Sequence, residues 1–415
     1  MRFIHAADVH LDSPMKGLSS YPGAPVEAMR GATRSALRSL VDLCLDENAD
    51  LLLIAGDIVD GDWPDYHTGL HMISELGRLR EADIPIVMIR GNHDAASVVT
   101  KALRWPEGVR LLTSSRPETV TFEDIGVAVH GQSFATRAVT DNLAADYPSP
   151  ESGLVNIGLL HTCMGGYAHH ENYAPCALDE LISHGYDYWA LGHVHQRAIL
   201  HEQPHIVFSG NLQGRNVREC GPKGATLVDV IDGELHLQER TLDHVRWDVV
   251  RIDVGHLADS DQLLAQSQEQ LTAAVAASDD RLVACRIEIA GVSPAHTLFA
   301  RDRDYLDAEL RAIASGLGAE SLWVERVIWK TAPPRGANSS TDEALGEVLK
   351  VLREASGDEE ILSELAEELA PPAAKLPRDV REGSDGVDPS SLETLRAVLG
   401  DIEATLPSLL TEASR

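Results

Sequence analysis

Leu51-Leu52-Leu53-Ile54-Ala55-Gly56-Asp57 is a five-residue apolar run that stops at a glycine and a carboxylate. A run this short and uniformly apolar has the pattern of a strand buried on both faces. The pattern recurs on either side of it. Phe3-Ile4-His5-Ala6-Ala7 leads to Asp8-Val9-His10, and Ile86-Val87-Met88-Ile89 leads to Gly91-Asn92-His93-Asp94. Ile157-Gly158-Leu159-Leu160 leads to His161, and Tyr188-Trp189-Ala190-Leu191 leads to Gly192-His193-Val194-His195. Amphipathic segments at 26–47 and 66–81 predict helices between the runs, and strands are expected at 127–130 and 206–208. Strands alternating with helices predict an α/β layered architecture. Strand signals crowd together after Leu154, and Gly221-Pro222-Lys223-Gly224 predicts a tight turn before a strand at 225–230. Sheet packed on sheet is expected there.

Each polar signature has an ordinary explanation when it stands alone. Asp8 could cap a helix beside a surface histidine, Gly56-Asp57 and Gly91-Asn92 could be turns, and a solitary histidine is commonly structural. Together the seven groups Asp8, His10, Asp57, Asn92, His161, His193 and His195 each follow an apolar run. Independent turns do not collect ligand-type side chains this way. On a strand, residues i and i+2 share a face, so Asp8 and His10 are expected to bind one cation together, and His193 and His195 again share one strand face. Mixed carboxylate, amide and imidazole donors suit Mn²⁺, Fe²⁺ or Zn²⁺. Two such ions with Asp57 between them would clamp phosphoryl oxygens and activate water. His93 stands beside a ligand without being needed as one, which frees it to protonate a leaving oxygen. The chemistry expected is phosphoester cleavage.

The 415 residues hold two or three domains, and the 44% hydrophobic content is that of a globular chain. No apolar run approaches the roughly 20 residues that span a bilayer. The N-terminus opens on a strand carrying Asp8 rather than on a basic start and an apolar stretch, which predicts a cytoplasmic protein. The five cysteines, Cys44, Cys163, Cys176, Cys220 and Cys285, form no C-x-x-C pair and predict neither a disulfide framework nor a zinc knuckle. A net charge of −30 opposes simple polyanion binding. Its distribution is uneven. Residues 1–250 carry 34 acids against 19 bases, 251–337 carry 13 against 9, and 338–415 carry 18 against 7. Part of the first excess is the ligand set, which two divalent cations would offset. Arg90, Arg197, Arg215, Arg218 and Lys223 cluster in sequence near the site, and the loops from Arg197 to Lys223 are expected to touch an anionic substrate.

Residues 251–332 change pattern. Strands at 249–254, 282–290 and 322–329 with helices at 261–277 and 303–316 predict a β-α-β-α-β module. Its near-neutral balance and its basic residues Arg301, Arg303, Arg326, Lys330 and Arg335 make it the best candidate for contact with an anionic polymer. Pro333-Pro334-Arg335-Gly336 breaks the chain, and Ser340-Thr341-Asp342-Glu343 carries a capping-box signature. Leu345, Leu349 and Leu352, then Ile361, Leu365 and Leu369, follow at helical spacing. A linker is expected at 371–389, then a last helix carrying Leu392, Leu395, Leu399 and Ile402. These short amphipathic helices are expected to dock on this chain or on a partner. No internal repeat is evident.

In order and context these motifs resemble the calcineurin-like metallophosphoesterases, and within them the SbcD-type DNA-repair exonucleases and their YhaO-like branch. The resemblance covers roughly residues 1–250. It is densest in His170-Glu171-Asn172-Tyr173-Ala174-Pro175-Cys176, in the stretch from Gly185 to His195, and in Gly210-Asn211-Leu212-Gln213-Gly214-Arg215. It implies an α/β fold with a four-layer β-sandwich core over 1–250, a small α+β capping domain over 251–335 and a helical C-terminal tail over 336–415. It also implies that Asp8, His10, Asp57 and His195 bind one Mn²⁺, that Asp57, Asn92, His161 and His193 bind the other, and that His93 is catalytic. Arg197, Arg215 and Arg218 are the expected substrate contacts. The implied activity is 3′→5′ exonuclease with some endonuclease action on DNA, in a homodimer with an SbcC-like coiled-coil ATPase. Two other readings of the residues stand beside it, a small-nucleotide phosphodiesterase or phosphatase and a mainly structural ATPase subunit. The second predicts eroded ligands, and none of the seven is missing. One departure from the resemblance concerns Asp60, because such nucleases often carry a histidine three residues past the bridging aspartate.

Overall fold

The computed structural model describes residues 1–13, 23–60, 67–96, 105–164, 173–334, 343–376, 381 and 388–412. Tyr66, His170–Asn172, Arg335 and the Ser340–Asp342 part of the capping signature lie outside the described residues. The chain divides into two compact units, Met1–Asp248 with Ser278–Ala284, and Val249–Ala277 with Cys285–Arg415.

The first unit is built on two six-stranded sheets. One contains β1 (Arg2–Ala6), β2 (Leu51–Ala55), β3 (Ile86–Ile89) and β4 (Val109–Leu111), all parallel. Antiparallel β11 (Gly224–Ile231) and β12 (Glu234–Thr241) extend it beyond β1. The other runs β5 (Glu118–Phe122), β6 (Val127–Gly131), β7 (Val155–His161), β8 (Tyr188–Gly192), β10 (His205–Phe208), β9 (Ala198–Glu202). Its four central strands are parallel and its edges antiparallel.

Side-chain alternation explains why both faces of these strands are apolar. Phe3, Leu51, Leu53, Val87 and Ile89 meet Val127, Val129, Ile157, Leu159, Tyr188 and Val207 in the core between the sheets. Ile4, Ala6, Leu52, Ile54 and Met88 turn the other way, onto Leu37, Leu40 and Cys44 of helix α1 (Val26–Asp46) and Met72, Leu76 and Leu79 of α2 (His67–Glu81). The outer face of the second sheet buries Trp189, Leu191, Ile206 and Phe208 with Tyr147, Tyr186 and Leu181, the last from the short helix α4 (Leu178–Ser183). Sheet-on-sheet packing therefore involves both halves of the unit, starting at β1, and is not confined to the strands after Leu154. The hidden signal was that parallel strands covered on both faces carry no alternation to separate one sheet from two.

A three-stranded sheet in the order β13 (Val245–Asp253), β14 (Leu282–Val292), β15 (Leu322–Ala332) lies mostly in the second unit. Helices α5 (Ser260–Ala276), α6 (His296–Arg301) and α7 (Arg303–Leu317) accompany it. Three further helices follow, α8 (Glu343–Gly357), α9 (Glu359–Ala373) and α10 (Leu392–Glu412). Helix α10 packs on α8, α9 and α6, so these tail helices dock on their own unit. Two expectations shift here. Helix α9 continues through Pro371 and Pro372, so the linker cannot begin at Pro371; in a last turn each proline sacrifices only one ladder bond. Its buried anchor is Leu362, whereas Ile361 is exposed. Among the described residues no helix is long and apolar enough to cross a membrane.

Candidate metal centre

The polar groups gather where parallel strands end, the usual place for a site on an α/β sheet. Asp8 and His10 follow β1, Asp57 follows β2, Asn92 and His93 follow β3 in the short helix α3 (Asn92–Ala96), His161 ends β7, and His193 and His195 follow β8. The ligating atoms of Asp8, His10 and His195 lie within 4.8 Å of one another, as do those of Asp57, His161 and His193, and those of His10, Asp60 and His93. With Asn92 Oδ1 3.0 Å from His161 Nε2 and Asp57 Oδ2 3.9 Å from His10 Nε2, all seven expected ligands and His93 come to one place.

The route there differs from the expected one. Asp8, His10, Asp57 and His193 are past their strands and have positive φ, at 50°, 44°, 50° and 96°. Strand alternation therefore does not pair Asp8 with His10 or His193 with His195. Instead the segment after β1 runs beside the segment after β2. Asp8 N donates to Gly56 O and His10 N to Asp57 O, each at 3.0 Å. Left-handed backbone at a non-glycine residue costs of order 1–3 kcal/mol, and aspartate is among the residues that tolerate it best. Four such residues in one site are held by the surrounding bonds. His193 N donates to Asp8 Oδ2 at 3.0 Å, and His93 N donates to Asp57 Oδ1 at 2.9 Å. Asp94 accepts from the N–H groups of Ile58, Val59 and Gly91, joining the ends of β2 and β3.

The imidazoles supply the test of whether a cation fits. His161 Nδ1 is 2.9 Å from Ala55 O, an acceptor only, so Nδ1 carries the proton and Nε2 a lone pair in the neutral ring. That lone pair faces Asn92 Oδ1 at 3.0 Å and Asp57 Oδ2 at 3.5 Å. On the other side His195 Nδ1 is 2.8 Å from Glu219 Oε1, which leaves its Nε2 facing His10 Nε2 at 3.1 Å. His161 Nε2, Asn92 Oδ1 and Asp57 Oδ2 are acceptors aimed at one another, a set that a cation between them would satisfy, and His161 and His195, tied back through Nδ1, are in the form in which histidine ligates metals. The donor set fits two divalent ions.

The comparisons with known proteins agree with this geometry. Residues 1–197 match the calcineurin-like phosphoesterase family, and residues 247–332 match the YhaO metallophosphoesterase middle domain. YhaO of Bacillus subtilis strain 168, an uncharacterized metallophosphoesterase, is 32% identical over 333 residues, covering 79% of this chain and 80% of that one. The chain belongs to the calcineurin-like metallophosphoesterases. Two relatives called DNA double-strand break repair protein Mre11 also match. The Methanopyrus kandleri protein is 32% identical over 215 residues, 47% of this chain and 44% of that one. The Sulfurisphaera tokodaii protein is 24% identical over 285 residues, 65% and 70% of the two chains. This metallophosphoesterase is thus a phosphoester hydrolase of a family that uses divalent metals.

Electrostatics in the metallophosphoesterase site follow from burial and charge. Burial raises Asp8 to about 6 against the opposing pull of His195 and His161. Burial also presses Asp57 upward, but His161 and His93 outweigh it and hold the carboxylate below its usual range. Burial disfavours the His161 cation, yet the charge of Asp57 carries this histidine up to about 9. A divalent ion replaces such a proton, so binding releases it.

The expected substrate contacts divide. Arg218 is exposed, and Arg197 is half-buried with Nη1 3.7 Å from Glu239. Arg215 is turned inward, with Nη2 2.8 Å from Glu219 Oε1 and Nη1 3.5 Å from Asp60 Oδ2. Lys223 is buried and donates to His195 O at 2.9 Å. Arg215 and Lys223 therefore support the site from within, and the charge of Arg215 is already met by Glu219 and Asp60. Three carboxylates, Asp60, Asp94 and Glu219, complete the site without having been assigned a role from sequence. Asp94 could have been suspected from its place in Gly91-Asn92-His93-Asp94. Glu219 follows no apolar run and carries no such signal.

Proposed function

We propose that this metallophosphoesterase is a Mn²⁺-dependent DNA exonuclease and endonuclease of DNA repair. The observation that carries the reading is the pair of facing donor sets, Asp8, His10 and His195 against Asn92, His161 and His193, with Asp57 between them. Bound divalent cations would supply charge neutralisation at the phosphoryl oxygens and activation of water. Asp57 reaches both sets, its Oδ2 being 3.5 Å from His161 Nε2 and 3.9 Å from His10 Nε2. His93 is more exposed than His195, at 31% of its side chain against 19%. Its Nε2 points toward Asp57 Oδ2 at 4.0 Å while its Nδ1 is held by Asp60. That arrangement leaves Nε2 to deliver a proton to the departing alkoxide. Arg197 and Arg218 are the proposed contacts for the phosphate backbone.

DNA as substrate, Mn²⁺ as the metal, a homodimer, an SbcC-like coiled-coil ATPase partner and a cytoplasmic location complete the proposal. The Mre11 relatives support the DNA reading. The deciding experiment incubates purified full-length protein and Mn²⁺ with end-labelled linear DNA, and separately with bis(p-nitrophenyl) phosphate. His93→Ala and Asp57→Ala variants run beside it. Shortening of the DNA by the unmodified chain alone supports the proposal. Cleavage of the small ester with intact DNA, with and without a coiled-coil ATPase, would replace it by a small-molecule phosphodiesterase.

A further inference from the structure

The loop joining β10 to β11 carries Asn211, Arg215, Glu219 and Lys223, and all four side chains serve the inside of the site. Glu219 is 8% exposed, and both of its oxygens are engaged. Oε1 accepts from His195 Nδ1 at 2.8 Å and from Arg215 Nη2 at 2.8 Å. Oε2 accepts from Arg215 N at 2.8 Å, from Asn211 Nδ2 at 2.9 Å and from Arg215 Nε at 3.4 Å. Arg215 Nη2 also approaches His195 Nδ1 at 3.2 Å. Both atoms cannot donate to each other, and the shorter contact assigns the Nδ1 proton to Glu219. Lys223 Nζ bonds the backbone carbonyl of the same histidine. The imidazole of His195 is thus fixed by a side-chain carboxylate and its backbone by an ammonium group.

His161, in the opposite donor set, is fixed differently. Its Nδ1 is tied to Ala55 O at the end of β2, a group of the sheet itself. One imidazole is oriented by sheet backbone and the other by a loop carboxylate that needs its own partners to stay in place. We propose that Glu219 is a positioning residue for His195, and that it sets the affinity of the cation site formed with Asp8 and His10 without affecting the site formed with Asn92 and His161. The inference rests on the two-cation reading above. Its physical basis is that a carboxylate accepting Nδ1–H fixes the tautomer and ring angle and makes Nε2 a stronger donor. Arg215 and Asn211 hold Glu219 ionised and aligned.

The test titrates metal-free full-length protein with Mn²⁺ alone, by calorimetry and by the electron paramagnetic resonance of bound Mn²⁺. Unmodified chain, Glu219→Gln, Glu219→Ala and Asn92→Ala are compared. The unmodified chain is expected to bind two ions whose spins couple. Glu219→Ala should keep one ion at unmodified affinity and bind the second about 10- to 100-fold more weakly, so that an isolated-ion spectrum replaces the coupled one. Glu219→Gln retains an acceptor oxygen for Nδ1–H and should fall between the two. Asn92→Ala should weaken the opposite site. Thermal midpoints of the metal-free proteins identify any variant that fails to fold, and Glu219→Gln then decides. Two ions with unchanged affinity in both Glu219 variants, or equal weakening of both sites, overturns the inference while leaving the two-cation reading intact. A single ion on the unmodified chain overturns that reading and the inference with it.

Discussion

His93 Nδ1 lies 2.7 Å from Asp60 Oδ1, and the other oxygen of that carboxylate accepts from Ser13 Oγ at 2.6 Å. An imidazole anchored through Nδ1 can present only Nε2 to a substrate. Removing the anchor should therefore act through His93. Asp60→Ala is expected to lose part of the roughly 10²- to 10⁴-fold that a general acid contributes, and to lose it mainly on phosphodiesters with poor leaving groups. Adding Asp60→Ala to His93→Ala should cost nothing more. Comparing kcat for a methyl and a p-nitrophenyl ester in the four proteins checks this; equal losses on both esters would show that Asp60 acts elsewhere.

Asp57 is the residue both donor sets share, so its removal should differ from that of any other ligand. Asp57→Asn is expected to weaken both Mn²⁺ ions, whereas His195→Ala should weaken one. Chelation of the unmodified chain should abolish phosphodiester hydrolysis, and added Mn²⁺ should restore it. A chain that keeps full activity after exhaustive chelation, with metal content verified by elemental analysis, would contradict the metal-dependent reading.

Much of this site was written in the chain because the ligands sit at strand ends. Buried parallel strands leave short apolar runs, and a carboxylate or imidazole directly after such a run has little else to explain it. What could not be read depends on partners distant in sequence. Glu219 meets His195 through a loop return of 24 residues, and Asp60 meets His93 across the ends of two strands. Arg215 looked like a substrate contact because arginine in a loop is ordinarily exposed. Its burial follows from two carboxylates that only the fold brings to it. Asp8 and His10 do come side by side, but through left-handed backbone and not through the strand alternation that was assumed.

His5 gives the fold a specific acid sensitivity. It is wholly buried between the sheets, with Nε2 3.2 Å from Leu191 O and Nδ1 2.9 Å from Tyr188 Oη. The carbonyl can only accept, so Nε2 carries the proton and Nδ1 accepts from the tyrosine. Burial lowers this histidine to about 3 from an ordinary 6.5. Between those values the unfolded chain binds a proton that the folded chain refuses. Stability is therefore full above pH 6.5 and falls as the pH drops toward 3, by about 1.4 kcal/mol per pH unit once well below 6.5. His5→Gln keeps a donor for Leu191 O and cannot titrate. Urea unfolding of the metal-free proteins between pH 7 and 5 should show a slope shallower by about one proton in the variant. Parallel slopes would mean that His5 titrates normally.

The two sheets come into close contact at the end that carries the ligands. A Cβ added at Gly192 would stand 2.0 Å from Ala55 O and 3.0 Å from His161 Nδ1. The carboxyl ends of β8 and β2 can therefore approach only because residue 192 has no side chain, and His193 and Asp57 lie just beyond that contact. Gly192→Ala must push backbone against backbone, with no flexible side chain to yield. It is expected to destabilise the chain by about 1–3 kcal/mol and to weaken Mn²⁺ binding as the donor sets separate. Gly77, within α2, provides the contrast, since a Cβ there meets nothing within 4 Å. Gly77→Ala should stabilise by about 0.5–1 kcal/mol and leave metal affinity unchanged. Denaturant unfolding and Mn²⁺ titration of both variants measure the pair. Similar effects from the two substitutions would mean that the approach at Gly192 does not govern the spacing of the site.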